Sequence, residues 1–193
     1  MPTNPGGTRE RIIDVAGNLF YHHGFQAVGL DQILDGVGIS KTALYKHFES
    51  KDDIILAVLE TRDRRDIADA IDFMRTHGSN DPRRQVVALF DQLEEWFSQD
   101  GFRGCLFMNA ATEFPSPHDP INQAAQKHGR HLAQQIHQRL VEAGIDDPDA
   151  LTQQCMVLLT GAIVSRHTQR ITSAAASAKR AVEVILGVES ISA

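Results

Sequence analysis

Apolar residues recur at intervals of three and four along most of this chain, and no segment alternates apolar with polar residues long enough to make a half-buried strand. A period near 3.6 gathers such residues on one face of a helix, whereas a strand needs a period of two. The pattern restricts the chain to an all-α fold. Composition agrees, since 42% of residues are apolar but only 6% aromatic, with Ala, Leu, Ile and Gln abundant.

The same spacing divides the chain into elements. Ile12, Ile13, Ala16, Leu19 and Phe20 share one face of a first helix, expected to be capped by Thr8 and to end at Gly24 after a Pro/Gly-rich tail. Residues 30–36 form a short second helix with Leu30, Ile33, Leu34 and Val37 inward. Gly38 supplies a tight turn, and Ser40 is placed to cap a third helix over residues 41–47. Ser50 and Asp53 match a capping box, which opens a long fourth helix reaching about His77. The run HGSNDP, residues 77–82, is the strongest break. Beyond it come a helix through Val86, Leu89, Phe90, Leu93, Trp96 and Phe97 that stops at Asp100–Gly101, and the compact apolar segment GCLFMNAATEF before a Pro-rich loop. A long helix closes at Gly144, and two more cover about 149–170 and 174–187. About nine helices are expected.

At 193 residues the chain can bury roughly 70% of its unfolded surface without disulfide staples. The opening MPTNPGGTRER lacks the apolar core of a signal peptide, and no run approaches bilayer length, so the expectation is a cytoplasmic chain with no membrane partner. Cys105 and Cys155 are its only cysteines, which suits free thiols in a reducing compartment. The net charge of −6 argues against nucleic acid until it is mapped. Residues 1–51 balance five Lys/Arg against five Asp/Glu, so the whole excess lies in the rest of the chain. A neutral head on an acidic body is compatible with a small DNA footprint, because charges are screened within about 10 Å.

The stretch DGVGISKTALYKHFESKDD, residues 35–53, carries the chemistry. Its glycines and Lys41–Thr42 invite comparison with a phosphate-binding loop of the form G-x-x-x-x-G-K-[ST]. Asp35 and Ser40 occupy the two required glycine positions, and the segment follows a helix rather than a strand, so that reading fails. Two helices joined by a Gly-containing turn instead form a helix-turn-helix, whose second helix enters the major groove of DNA. Ala43, Leu44 and Phe48 suit its buried side, leaving Lys41, Thr42, Tyr45, Lys46 and His47 outward as donors to phosphate or base edges. On spacing alone a solvated helix face fits equally well.

The residues from Thr8 to about Ile55 resemble the DNA-binding domain of the tetracycline-repressor (TetR) family of transcriptional regulators. Ile13, Ala16, Leu19, Phe20, Gly24 and Ile33 match it, followed by GISKTALYKHFESKDDI with Gly38, Ser40, Leu44, Tyr45, Phe48, Lys51 and Ile54 in register. The resemblance implies a DNA-binding set of Ser40, Lys41, Thr42, Ala43, Tyr45, Lys46, His47 and Lys51. In it Lys41, Thr42 and Ala43 lie at base edges, Tyr45 and His47 touch the backbone, and Lys51 clamps a phosphate. Gly29 departs from the family's usual Thr cap, and Asp31 from its usual neutral or basic residue.

The resemblance further implies a helix-turn-helix domain over residues 8–51 and an effector-binding and dimerisation domain over 52–193, the homodimer forming through the last two helices, about 149–187. The fourth helix, starting at Lys51, would connect DNA to effector. A small apolar or aromatic effector would need aromatic and Met side chains with a few polar groups. Phe90, Trp96, Phe97, Cys105, Phe107, Met108, Phe114 and His128 supply them, the alternative for each being ordinary core. Cys105 beside Arg103 is also a candidate electrophile or redox sensor, with inert packing as its alternative. His128 and His131 have no Cys or carboxylate cluster at ligand spacing, so neither a metal nor any other cofactor is expected. No G-x-S-x-G or H-E-x-x-H motif points to an enzyme. The expected function is a ligand-responsive DNA-binding regulator, a repressor on a palindromic operator. The alternative is a helical small-molecule-binding or interaction protein of the same fold with no specific operator.

Overall fold

The computed structural model describes residues 7–188, and these form nine α-helices and no strand. In chain order they are α1 (Thr8–His23), α2 (Leu30–Val37), α3 (Lys41–Leu44), α4 (Lys51–His77), α5 (Pro82–Ser98), α6 (Leu106–Glu113), α7 (Pro120–Glu142), α8 (Pro148–Thr168) and α9 (Ala174–Leu186). The chain divides into two compact units. One holds the described residues up to Arg64 together with Cys105–His128, and the other holds Arg65–Gly104 together with Gly129 to the last described residue. Helices α4 and α7 each contribute residues to both.

In the first unit α1 and α2 pack together, and Ile12, Ala16 and Phe20 bury against Ile33, Leu44, Phe48, Ile54 and Ile55. Phe20 and Phe25 stack at 5.2 Å. Leu106, Phe107 and Ala110 of α6 and Ile121 of α7 belong to the same core. The second unit is built on α5, α8 and α9, which pack on one another and bury Val86, Phe90, Cys155, Leu159, Val182 and Leu186.

Helix starts follow the polar residues that precede them. Ser40 Oγ accepts the Ala43 N–H at 3.2 Å, Ser50 Oγ that of Asp53 at 3.1 Å, and Asp147 that of Ala150 at 3.0 Å. Each side chain serves a donor that the first helical turn cannot. Two expectations need correction. Thr8 is the first residue of α1 rather than its cap, and Gly7, in the cap position, has no side chain to bond. The third helix ends at Leu44, not at residue 47. Past Leu44 the chain tightens into a turn, with the His47 N–H reaching back only three residues to the Leu44 carbonyl at 2.9 Å. Such tightening is common where terminal carbonyls have no helical partner.

Between α4 and α5, Gly78 is buried with its Cα hydrogen turned onto the first turn of α5. A Cβ there would lie 2.3 Å from the Gln85 Cα and 2.4 Å from its backbone nitrogen. Gly78→Ala should therefore cost about 1–3 kcal/mol, as overpacking does, and appear as a lower urea midpoint. Cys155 sits in the α8 face of the same unit, and burial pushes its thiol up to about 11 from an ordinary value near 9. The folded state thus holds the thiol proton more tightly than the unfolded chain. The stability this contributes is present below about pH 9 and is lost as pH rises towards about 11. Native protein at pH 8 should leave Cys155 unalkylated by iodoacetamide, and urea-unfolded protein should react fully, as read by mass spectrometry.

Candidate nucleic-acid interface and effector region

The turn between α2 and α3 is set by Gly38, whose φ of 75° lies in the left-handed region where a side chain is strained. Its N–H and that of Ile39 both bond the Leu34 carbonyl, at 2.8 and 3.2 Å, which closes α2 and redirects the chain. Arg11 of α1 donates to the Val37 carbonyl at 2.7 Å, tying the first helix to the end of the second. With Gly29 in the cap position no side chain caps α2, but Gln32 Oε1 accepts the Gly29 N–H at 2.8 Å, the return half of a capping box.

On this frame Leu44 and Phe48 are buried, and Lys41, Thr42, Tyr45, Lys46 and His47 are all exposed. Tyr45 leaves 44% of its surface in water, and the Lys41 ammonium lies 5.9 Å from its ring centroid. That contact leans the cation across the phenol. Ser40 is exposed and occupied as the cap, while Ala43 is half-buried. Lys51 is half-buried at the start of α4, and its Nζ is 3.5 Å from the Gln26 carbonyl of the α1–α2 loop. Of the predicted DNA-facing residues, Ser40, Lys41, Thr42, Tyr45, Lys46 and His47 are exposed along α3 and the turn after it, while Ala43 and Lys51, which opens α4, are half-buried.

The eight predicted effector residues are shared between the two units. Cys105, Phe107, Met108, Phe114 and His128 belong to the first unit, and Phe90, Trp96 and Phe97 to the second. In the first, Phe107 lies flat on the His128 ring, with centroids 3.7 Å apart and planes within 7°. His128 Nδ1 is 2.9 Å from Asp63 Oδ1, and both side chains are nearly enclosed. This hydrogen bond fixes the ring's orientation. Cys105 and Met108 are half-buried, and Phe114 meets Phe25 edge-on at 6.1 Å. In the second unit Phe90 is fully buried, and Trp96 and Phe97 surround Phe102 at 5.0 and 5.1 Å. The Arg166 guanidinium caps that cluster, donating to the Phe97 carbonyl at 3.1 Å.

Asp63 is absent from the predicted set although a signal for it exists. It falls one turn after Leu59 and one before Ile67 on the apolar stripe of α4, where an unpaired carboxylate is costly. Neither cysteine is in a disulfide. Among the described residues no cluster of His, Cys, Asp and Glu is placed to hold a metal, and no helix is long and apolar enough to cross a membrane. On α8 and α9 the apolar side chains outside the core are Val157, Val164, Val184 and Ile185, all exposed. Val157 and Val164 are two turns apart on one face of α8, with exposed Gly161 between them.

Residues 12–58 match the family model for bacterial regulatory proteins of the tetR family, and residues 82–182 match that of the tetracyclin repressor-like C-terminal domain. The transcriptional regulator AcuR of Cereibacter sphaeroides is 31% identical over 149 residues, covering 73% of this chain and 68% of that one. The activator FasR of Mycolicibacterium smegmatis is 34% identical over 97 residues, 49% of this chain and 43% of that protein's length. The crystal structure of the TetR-family regulator SCO4454 from Streptomyces coelicolor superposes with a TM-score of 0.85 at 29% identity, covering 94% of this chain and 96% of that one. With both ends of the chain matched and the C-terminal model alone spanning more than half of it, the chain belongs to the TetR family, whose members are DNA-binding transcriptional regulators and not enzymes.

Proposed function

We propose that this regulator is a sequence-specific repressor that binds a palindromic operator as a homodimer and is released by a small apolar or aromatic effector. The observation that carries the DNA part is the exposure of Lys41 and Thr42 on α3 and of Tyr45, Lys46 and His47 in the turn that follows it, five donors with no carboxylate among them. Lys41, Thr42 and Ala43, at the start of α3, would meet base edges, and Tyr45, Lys46, His47 and Lys51 the phosphates. Functionally, residues 8–51 would read DNA, and the remainder would bind effector and pair. Such a protein works where bacterial DNA is, in the cytoplasm.

Release by effector is a shift of population. A ligand that binds better to a conformer unsuited to the operator weakens DNA binding by that difference in affinity. Helix α4 offers a short path, since Lys51 begins it and Asp63, bonded to His128, lies twelve residues on, about 18 Å along the axis. The enclosed Asp63–His128–Phe107 group couples an aromatic stack to a fixed polar pair, and Cys105 and Met108, half-buried on the same segment as Phe107, are where an effector would meet it. The relative FasR is named an activator, so the same DNA contacts also serve a reading in which binding promotes transcription.

In fluorescence anisotropy with DNA from upstream of its own gene, the chain should resist a scrambled competitor. Lys41→Ala should cost about 1–3 kcal/mol on the preferred site only, and Lys51→Ala should weaken all sequences alike while lowering the salt slope by about one. Equal, weak binding to both duplexes would overturn specific repression. The uncovered α8–α9 face predicts a second result. Val184→Glu should turn a dimer into a monomer in size-exclusion chromatography with light scattering, with helicity retained, because Val184 is 82% exposed in the single chain and holds no core contact to lose.

A further inference from the structure

Glu113 is the last residue of α6, where a carboxylate faces the negative end of the helix dipole. Its position is explained by what it reaches. One carboxylate oxygen accepts the Phe25 N–H at 3.0 Å and the other the Gln26 N–H at 2.7 Å, two consecutive backbone donors in the loop between α1 and α2. The approach depends on Gly24, where a Cβ would lie 3.1 Å from the same carboxylate and where φ is 87°. The other end of the tie is also held. Asn122 of α7 is buried and donates to the Phe114 carbonyl at 2.7 Å and more weakly to that of Ala111, closing the end of α6. On the far side of the loop, the Gln26 carbonyl receives Lys51 Nζ.

We propose that Glu113 is a positioning residue for DNA binding: it clamps the α1–α2 loop so that Gln26 holds the Lys51 ammonium where a phosphate meets it. The clamp also makes the loop sensitive to α6. That helix begins beside Cys105 and carries Phe107, stacked on His128, so any ligand that shifts α6 along its axis pulls on Glu113 and loosens Lys51. A pair of charged-acceptor hydrogen bonds is stiff enough to transmit such a shift, whereas apolar contacts alone slide more freely. The inference rests on the DNA-binding reading above.

Glu113→Gln isolates the clamp, because the amide keeps the shape but has one acceptor oxygen, and its NH2 faces a backbone N–H. With a mixed-sequence DNA duplex at low salt, this variant should bind about fivefold more weakly and lose part of the salt slope, up to the roughly 0.9 expected for one phosphate contact. In a Lys51→Gln background the same change should have almost no further effect. Amide exchange at Phe25 and Gln26 should speed up in the free protein while circular dichroism shows the helices intact. Additive losses in the double variant, or unchanged exchange at both amides, would overturn the clamp even with normal wild-type binding. Failure of the wild type to bind any duplex would instead overturn the DNA reading on which it rests.

Discussion

Leu44 and Phe48 are buried, and that is why the residues around them are not. They sit one turn apart, 1% and 5% exposed, and each contributes about 1.5–3 kcal/mol by leaving water. With them buried in the core that α1 and α4 also line, Lys41 and Thr42 on α3 and Tyr45, Lys46 and His47 in the turn after it are left exposed. Turning residues 41–48 over to bring Lys41 and Lys46 inward would expose Leu44 and Phe48 and bury two charges. The proposed DNA-facing chemistry is thus held in place by side chains buried in the core. The Gly38 turn and the Ser40 cap fix where the short helix begins, so that its register, and not just its orientation, is determined.

Much of this was legible because it is local. Ser40, Leu44 and Phe48 lie within nine residues of one another, and cap, spacing and charge can be read from neighbours in the chain. The length of α3 was less legible, since Tyr45–His47 have adequate helix propensity and only the turn that follows decides that they tighten. The effector region shows the opposite case. Aromatic and Met residues were identifiable as a class, but periodicity does not say which cluster each joins, and they part into two units. The pairings that organise the region span long separations: Asp63 with His128 is 65 positions, and Glu113 with Phe25 is 88. Nothing in local spacing encodes such a partner. What the chain does show is the anomaly, a carboxylate on an apolar stripe and another at the wrong end of a helix, and each has its compensation in the fold.

The proposed function asks for a rigid reading head. The head has that rigidity in overlapping ties, with Arg11 to the end of α2, Ser50 to α4 and the Phe20–Phe25 stack beneath the loop. Few of these involve α6. The short helix is joined to the head by its buried face, by the Phe114–Phe25 contact and by the Glu113 carboxylate. Directional bonds of this kind are either made or broken, and they reinforce a packed core that itself has discrete arrangements, which suits switch-like behaviour.

The bare apolar strip on α8 and α9 has a consequence for how stability depends on concentration. Under the proposed pairing, a second copy covering Val157, Val164, Val184 and Ile185 favours the folded chain over the unfolded one by mass action, so the fold's apparent stability would rise with the abundance of its own copies. A dilute chain would then be the less protected one, and its melting temperature would climb with protein concentration.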